Sequence, residues 1–270
     1  MSTPFGTDIT DGTTYPDGLH GTVINYGKQS QVELLEREYL KVPIIIKWIG
    51  VGKRLTYKEV TDLYIHLVDY RDILERNGWD VPRLHEVIIY KDKRAACMSV
   101  YEEYITGQRI DEIIKDSRTV RRTWELFASL FLLLARQETI AVTMGNQQLH
   151  RLSYGVDLKP SNLVIDSAGK VYLVDTFGPK VIKPSGQWAA YSKKLEGIGK
   201  EPLMAVTATR EGILLRFLRL VGIEDAKNAT IQRLWDCLHE AGIPPSEVKF
   251  VIDEVKNGYP WLDYLYGKSS

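Results

Sequence analysis

Three oxygen-bearing side chains stand at informative intervals in the middle of the chain. In the segment DLKPSNLVIDSAGKVYLVDTFG, Asp157 precedes Asn162 by five residues and Asn162 precedes Asp175 by thirteen. Two apolar runs lie between them, NLVID and KVYLVD, separated by the turn Ser167-Ala168-Gly169. A β-hairpin is therefore expected, and it brings the three side chains to one side. Their types define a chemistry. The Asn162 amide and the Asp175 carboxylate are hard oxygen ligands of the kind Mg²⁺ prefers, which leaves Asp157 to accept the proton of a hydroxyl. A lone Asp-x-x-x-x-Asn arises by chance, but its combination with a hairpin and with Asp-Thr-Phe-Gly after VYLV is far more specific.

The segment resembles the catalytic and metal-binding loops of the protein kinase-like superfamily, which includes the aminoglycoside and choline phosphotransferases. The resemblance implies that Asp157 is the catalytic base, that Asn162 and Asp175 hold Mg²⁺, and that Lys159 neutralises the transferring phosphate of ATP. The same family carries a glycine-rich hairpin over the phosphates, followed by a lysine on the third strand. Gly27 and Val32 match that hairpin, Asn25 and Ser30 stand at its other glycine positions, and Lys47 follows Val32 by fifteen residues. Lys47 is the only charge in an otherwise apolar run, so its ammonium needs a buried partner, and ATP phosphates would provide one. A helix carboxylate is expected to pair with it as well. Glu59, Asp62 and Asp69 share a face; counting forward from Lys47 favours Asp62, counting back from Val81-Pro82 favours Asp69, and Asp69 is taken as the partner. Glu102 to Gly107 resembles the hinge between lobes, with the Glu103 carbonyl and the Ile105 N–H facing adenine.

The resemblance runs from about Val23 to Gly178 and fades beyond. Gly155 stands two before the base where a His is usual, Thr176 extends Asp-Phe-Gly to Asp-Thr-Phe-Gly, and no Ala-Pro-Glu segment follows. These departures are more similar to small-molecule kinases, whereas DLKPSN is more similar to Ser/Thr protein kinases.

The elements that must position these residues follow from periodicity. Residues 1–20 read as a loose lead-in rich in Gly, Thr, Asp and Pro. TVINY, QVELLE, VPIIIKWI, LHEVIIY and AACMSVYEEYI read as strands. Thr56 to Asn77 reads as a helix, with an apolar stripe at Leu63, Leu67, Tyr70 and Leu74 and a stop at Asn77-Gly78. After Thr106-Gly107 a short helix and a long one, Thr119 to about His150, lead to the hairpin; 179–202 reads as irregular, and helices and the tail GYPWLDYLY complete the chain. The expected fold is α+β and bilobal, of the protein kinase-like type. Residues 1–105 would form an N-terminal lobe with a five-stranded sheet and one helix, and 106–270 a helical C-terminal lobe.

Composition bounds the rest. With 44% hydrophobic and 26% charged residues in a chain of 270, the protein has an ordinary globular makeup. Lys+Arg and Asp+Glu are 35 each, which gives no electrostatic footprint for nucleic acid or an anionic membrane. The run Leu126–Ala135 is about half of the roughly 20 residues that span a bilayer. The first twenty residues lack the apolar stretch of a signal peptide, and a cytoplasmic location is expected. Cys97 and Cys237 read as buried small apolar residues, and the five histidines show no metal-ligand spacing. Lys193, Lys194, Lys200 and Arg210 fall where a family member would bind its acceptor, as a basic site for an anionic substrate or as a solvated face. The expected activity is transfer of the ATP γ-phosphate to a hydroxyl of a small molecule such as an antibiotic, sugar or metabolite. The alternatives are a Ser/Thr protein kinase and a nucleotide-binding pseudokinase.

Overall fold

The computed structural model describes residues 22–26, 30–35, 43–50, 55–92, 95–115, 120–144, 147–177, 200–223 and 228–267. The chain mixes α and β structure and divides into two units, Met1–Asp69 with Val81–Thr106 and Tyr70–Asp80 with Gly107–Ser270.

The first unit is built on strands β1 (Thr22–Tyr26), β2 (Ser30–Leu35), β3 (Ile44–Ile49), β4 (Leu84–Asp92) and β5 (Ala95–Glu103), which form one antiparallel sheet in the order β1-β2-β3-β5-β4. The central strands are β-branched and apolar, as burial on a sheet favours. Ile46 and Trp48 of β3 are buried with Ile44, Tyr90 and Tyr101 packed against them. The rings of Trp48 and Tyr90 lie 5.7 Å apart. Helix α1 (Tyr57–Arg76) opens on a reciprocal cap. Thr56 N–H donates to Glu59 Oε2 at 2.8 Å, and Glu59 N–H donates to Thr56 Oγ1 at 3.2 Å. Glu59, one of three acids weighed as a partner for Lys47, is thus held by the helix start.

The last turns of α1 belong to the second unit. Residues 70–80, read from sequence as part of an N-terminal lobe, are hydrogen-bonded to that unit: Tyr70 Oη donates to Gly155 O at 2.8 Å, Trp79 Nε1 to Tyr154 Oη at 3.0 Å, and Leu173 N–H to Asp80 O at 2.8 Å. The second unit continues through β6 (Gly107–Arg109), α2 (Ile110–Lys115), α3 (Val120–Ala135), β7 (Thr139–Met144), β8 (Gln147–Leu152), β9 (Leu163–Asp166) and β10 (Val171–Leu173). Helices α4 (Lys200–Ala208), α5 (Arg210–Leu220), α6 (Asn228–Glu240), α7 (Pro245–Lys256) and α8 (Pro260–Leu265) follow.

One expected element is corrected. The helix read as running to His150 ends at Ala135, and β7 and β8 form an antiparallel hairpin in its place. Thr139, Ile140, Val142 and Thr143 are β-branched and suit a strand better than a helix. The apolar stripe of α3 is core: Phe127 meets Phe217 of α5 edge-on at 5.2 Å, and both are buried. Gly107 is required by close approach, because a Cβ there would lie 2.2 Å from the Ile165 carbonyl oxygen across the β6–β9 pairing. Among the described residues, no helix is long and apolar enough to cross a membrane.

Candidate functional site

The hairpin of β9 and β10 is the platform. Leu163, Val164 and Ile165 of β9 and Leu173 of β10 are buried and fix it to the second unit. Its turn is closed by Asp166, whose Oδ1 accepts from the N–H groups of Ala168 and Lys170 at 2.9 Å each, with Gly169 at φ +85°. Ahead of β9, Pro160–Asn162 makes a single 3₁₀ turn, and Asn162 N–H donates to Lys159 O at 2.9 Å. Val174 N–H then donates to Asn162 O at 2.8 Å, which ties the segment after β10 to the loop before β9. The approach to the loop is anchored from both sides, by Tyr70 on the Gly155 carbonyl and by Val156 N–H on Thr207 O at 2.6 Å.

On this platform Asp157, Asn162 and Asp175 are brought together. Asn162 Nδ2 lies 3.1 Å from the Asp157 carbonyl oxygen and 3.5 Å from Asp175 Oδ2. Because Nδ2 is the donor in both contacts, the amide oxygen Oδ1 is the atom left to meet a cation. Asp175 is oriented by Phe177 N–H, which donates to its Oδ1 at 3.2 Å. The Asn162 amide and the Asp175 carboxylate lie side by side, and the oxygens of both are ligand types suited to a hard divalent ion such as Mg²⁺. Two cations flank the Asp157 carboxylate: Lys159 Nζ lies 2.5 Å from Oδ2 and Arg216 Nη1 of α5 lies 2.7 Å from Oδ1. The Arg216 approach is off the axis of a hydrogen bond, so charge holds it. Burial pushes the Tyr70 hydroxyl well above its ordinary range, with the Asp175 and Asp157 charges adding to the effect, so Tyr70 stays a neutral donor.

In the first unit, Lys47 faces Val32 in the β2–β3 register and Val100 in the β3–β5 register. The acid against its ammonium is Glu102 of β5, with Nζ 2.5 Å from Oε2 and Glu102 almost wholly buried. This corrects the expected helix partner: Asp69 is exposed on α1, whereas β5 is the strand beside β3 and its side chains reach Lys47 directly. Glu103 accepts from Arg83 N–H through Oε2 at 3.3 Å, its own N–H donates to Arg83 O at 2.9 Å, and Ile105 is buried. Gly27 lies outside the described residues, as do Lys193 and Lys194, and Val32 is described as backbone alone.

Arg210 is corrected as well. It is 4% exposed, and its guanidinium donates to Glu247 at 3.0 and 3.2 Å, to Leu134 O at 3.2 Å and to Gln137 O at 2.8 Å. It is an internal tie rather than an acceptor contact. Beside it, His150, Glu211 and Glu247 bring donor atoms within 4.8 Å of one another, a grouping that sequence spacing did not reveal because β8, α5 and α7 supply one residue each. All four carboxylate oxygens of this group already accept from protein. Glu211 takes His150 Nδ1 at 2.6 Å and His150 N–H at 3.0 Å, and Glu247 takes Arg210 at both oxygens. The cluster is therefore a closed charge network. Burial, then the nearby Glu211 charge, raises the Glu247 carboxyl above its usual range, while Arg210 and His150 oppose this.

Arg216, like Glu102, is a site residue whose role sequence reasoning missed. It follows Asp157 by 59 residues in a region without recognisable motif. Comparison with protein-family models gives no match, and comparison with curated proteins gives no relative. The site is accordingly read from its own geometry.

Proposed function

We propose that the chain is an ATP-dependent phosphotransferase of the bilobal protein kinase-like type, moving the γ-phosphate of ATP to a hydroxyl of a small molecule. The observation that carries this reading is the convergence of Asp157, Asn162 and Asp175 on one hairpin, with Asn162 Nδ2 within 3.5 Å of both neighbours. Asp157 orients the acceptor hydroxyl and takes its proton as the new O–P bond forms and the bond to the leaving ADP oxygen breaks. Asn162 Oδ1 and Asp175 are the groups that would hold Mg²⁺. Bound there, Mg²⁺ would offset the charge of the transferring phosphoryl group. Lys159 adds a positive charge beside the same group, and Lys47, fixed by Glu102, is assigned to the α- and β-phosphates. With so few side chains, catalysis is mostly positioning and charge neutralisation.

Incubation of the protein with γ-labelled ATP and cell lysate, split into protein and metabolite fractions, tests the reading. Label is expected in the metabolite fraction, and Asp157→Asn should reduce it by about 10²–10⁴-fold, the usual worth of a positioned base. Label only in proteins would reassign the acceptor to a protein hydroxyl. No transfer by the wild type, despite nucleotide binding, would contradict the enzyme reading.

A further inference from the structure

We infer that the acceptor is an anionic hydroxyl compound and that Arg216 binds its negative group; this rests on the phosphotransferase reading above. The starting point is an excess of charge. One carboxylate, Asp157, carries a cation on each oxygen, Lys159 at 2.5 Å and Arg216 at 2.7 Å. With Asp175 reserved for the metal, as in the reading above, the one minus and two plus charges around the Asp157 carboxylate leave a net charge of +1. A single cation suffices to orient a carboxylate, so the second has no counter-charge of its own within the group.

The arginines of α5 make the contrast plain. Arg210 is consumed by Glu247 and two carbonyls, and Arg219 by Asp263 at 2.8 Å and the Tyr259 ring at 5.7 Å. Those two tie the fold together. Arg216 sits six residues after Arg210, about 120° away around the helix, and is the one that reaches Asp157. Its Nη1 and the Asp157 Oδ1 are both buried, and neither has an aligned hydrogen bond among the described residues. A largely buried guanidinium with donors still to be matched is suited to a second, better aligned anion. Its planar fork fits a phosphate or carboxylate at two points, which a lysine would not.

The arrangement also couples binding to chemistry. Each Asp157 oxygen faces a cation, so the carboxylate becomes a better acceptor for the hydroxyl proton when one of the two is drawn away. An anionic group on the acceptor draws Arg216 off Oδ1 and offers the hydroxyl to the vacated oxygen. An amine in the place of that anion meets the Arg216 guanidinium and is repelled, so this position selects toward phosphorylated or carboxylated sugars and polyols.

Calorimetric titration of the full chain tests this, with and without Mg²⁺ and a non-hydrolysable ATP analogue. The probes are matched pairs, glycerol against glycerol 3-phosphate and glucose against glucose 6-phosphate, with glucosamine as the cationic member. The phosphorylated member of at least one pair should bind ten-fold or more tightly than its neutral partner, and glucosamine more weakly than glucose. Arg216→Gln should abolish the preference and Arg216→Lys should restore part of it. Equal binding within both pairs, no binding of any member, or a preference unchanged in Arg216→Gln would overturn the inference. Failure of the ATP analogue to bind counts against the phosphotransferase reading instead, and the titrations without nucleotide still decide the anion preference.

Discussion

Lys47 and Glu102 form an ion pair on adjacent strands, with Nζ 2.5 Å from Oε2, although Val100 is the residue directly opposite Lys47 in register. The acid therefore sits two residues further along β5, a diagonal neighbour on the same face of the sheet. Glu102 is 1% exposed and the Lys47 side chain 13%. Removing one member of so buried a pair takes a close counter-charge from the other. Glu102→Ala is expected to lower the unfolding free energy by about 3–5 kcal/mol, whereas Glu102→Leu combined with Lys47→Met should recover much of that loss. Urea unfolding of the single and double variants checks this; an additive double variant would refute the pairing.

The start of α5 leaves no room for a side chain at Gly212. A Cβ there would lie 1.8 Å from the Ala205 carbonyl oxygen and 2.8 Å from Thr209 Oγ1, the capping oxygen of the helix. Since the first obstacle is backbone, Gly212→Ala should destabilise the protein by about 1–3 kcal/mol or shift α4 from α5. Gly222→Ala serves as the contrast. Its Cβ would meet nothing within 4 Å, and only the positive φ of +75° resists it, at roughly 1 kcal/mol. Thermal unfolding of the two variants should separate them clearly.

His66 gives stability a pH dependence of definite sign. Burial in α1 lowers its pKa from 6.5 to about 4, against a smaller raising effect of Asp69. Between those values the unfolded chain binds the proton and the folded chain does not, so stability rises with pH across the window and falls as pH drops from about 6.5 toward 4. The effect is on the order of 3 kcal/mol in full. Denaturant midpoints measured from pH 7.5 down to 4.5 should fall for the wild type, and the histidine-dependent part of that slope should vanish in His66→Phe.

Burial raises the Cys97 thiol to about 11 and moves the Cys237 thiol upward as well. Neither is a reactive thiolate near neutrality. At pH 8 a disulfide reagent should modify Cys97 in the native protein far more slowly than in guanidinium, and rapid native labelling of Cys97 would contradict its burial in β5.

What the sequence disclosed was local. NLVID, Ser-Ala-Gly and KVYLVD identify the β9–β10 hairpin because alternation, turn residues and strand length are all written within about twenty residues. Asp157, Asn162 and Asp175 belong to that same stretch, so their proximity follows from the hairpin itself. The partner of Lys47 was not legible in this way. Glu102 lies 55 residues downstream, and its position depends on β5, rather than β4, pairing with β3, which no local pattern specifies. Arg216 escaped for a related reason. Basic residues beyond Gly178 pointed to Arg210, but the packing of α5 turns Arg210 inward to Glu247 and leaves the later arginine to face Asp157. The β7–β8 hairpin was hidden by its nearness to α3, with only three residues between Ala135 and Thr139, although its β-branched residues carried the correct signal.

Nucleotide binding followed by calorimetry, with and without Mg²⁺, tests the division of labour among Asp157, Asn162 and Asp175 most directly. Wild-type protein should bind a non-hydrolysable ATP analogue more tightly when Mg²⁺ is present. Asp175→Ala should lose that Mg²⁺ dependence, while Asp157→Asn should keep it and still fail to transfer phosphate. An Asp175→Ala protein that binds the Mg²⁺ complex as tightly as the wild type would contradict the account.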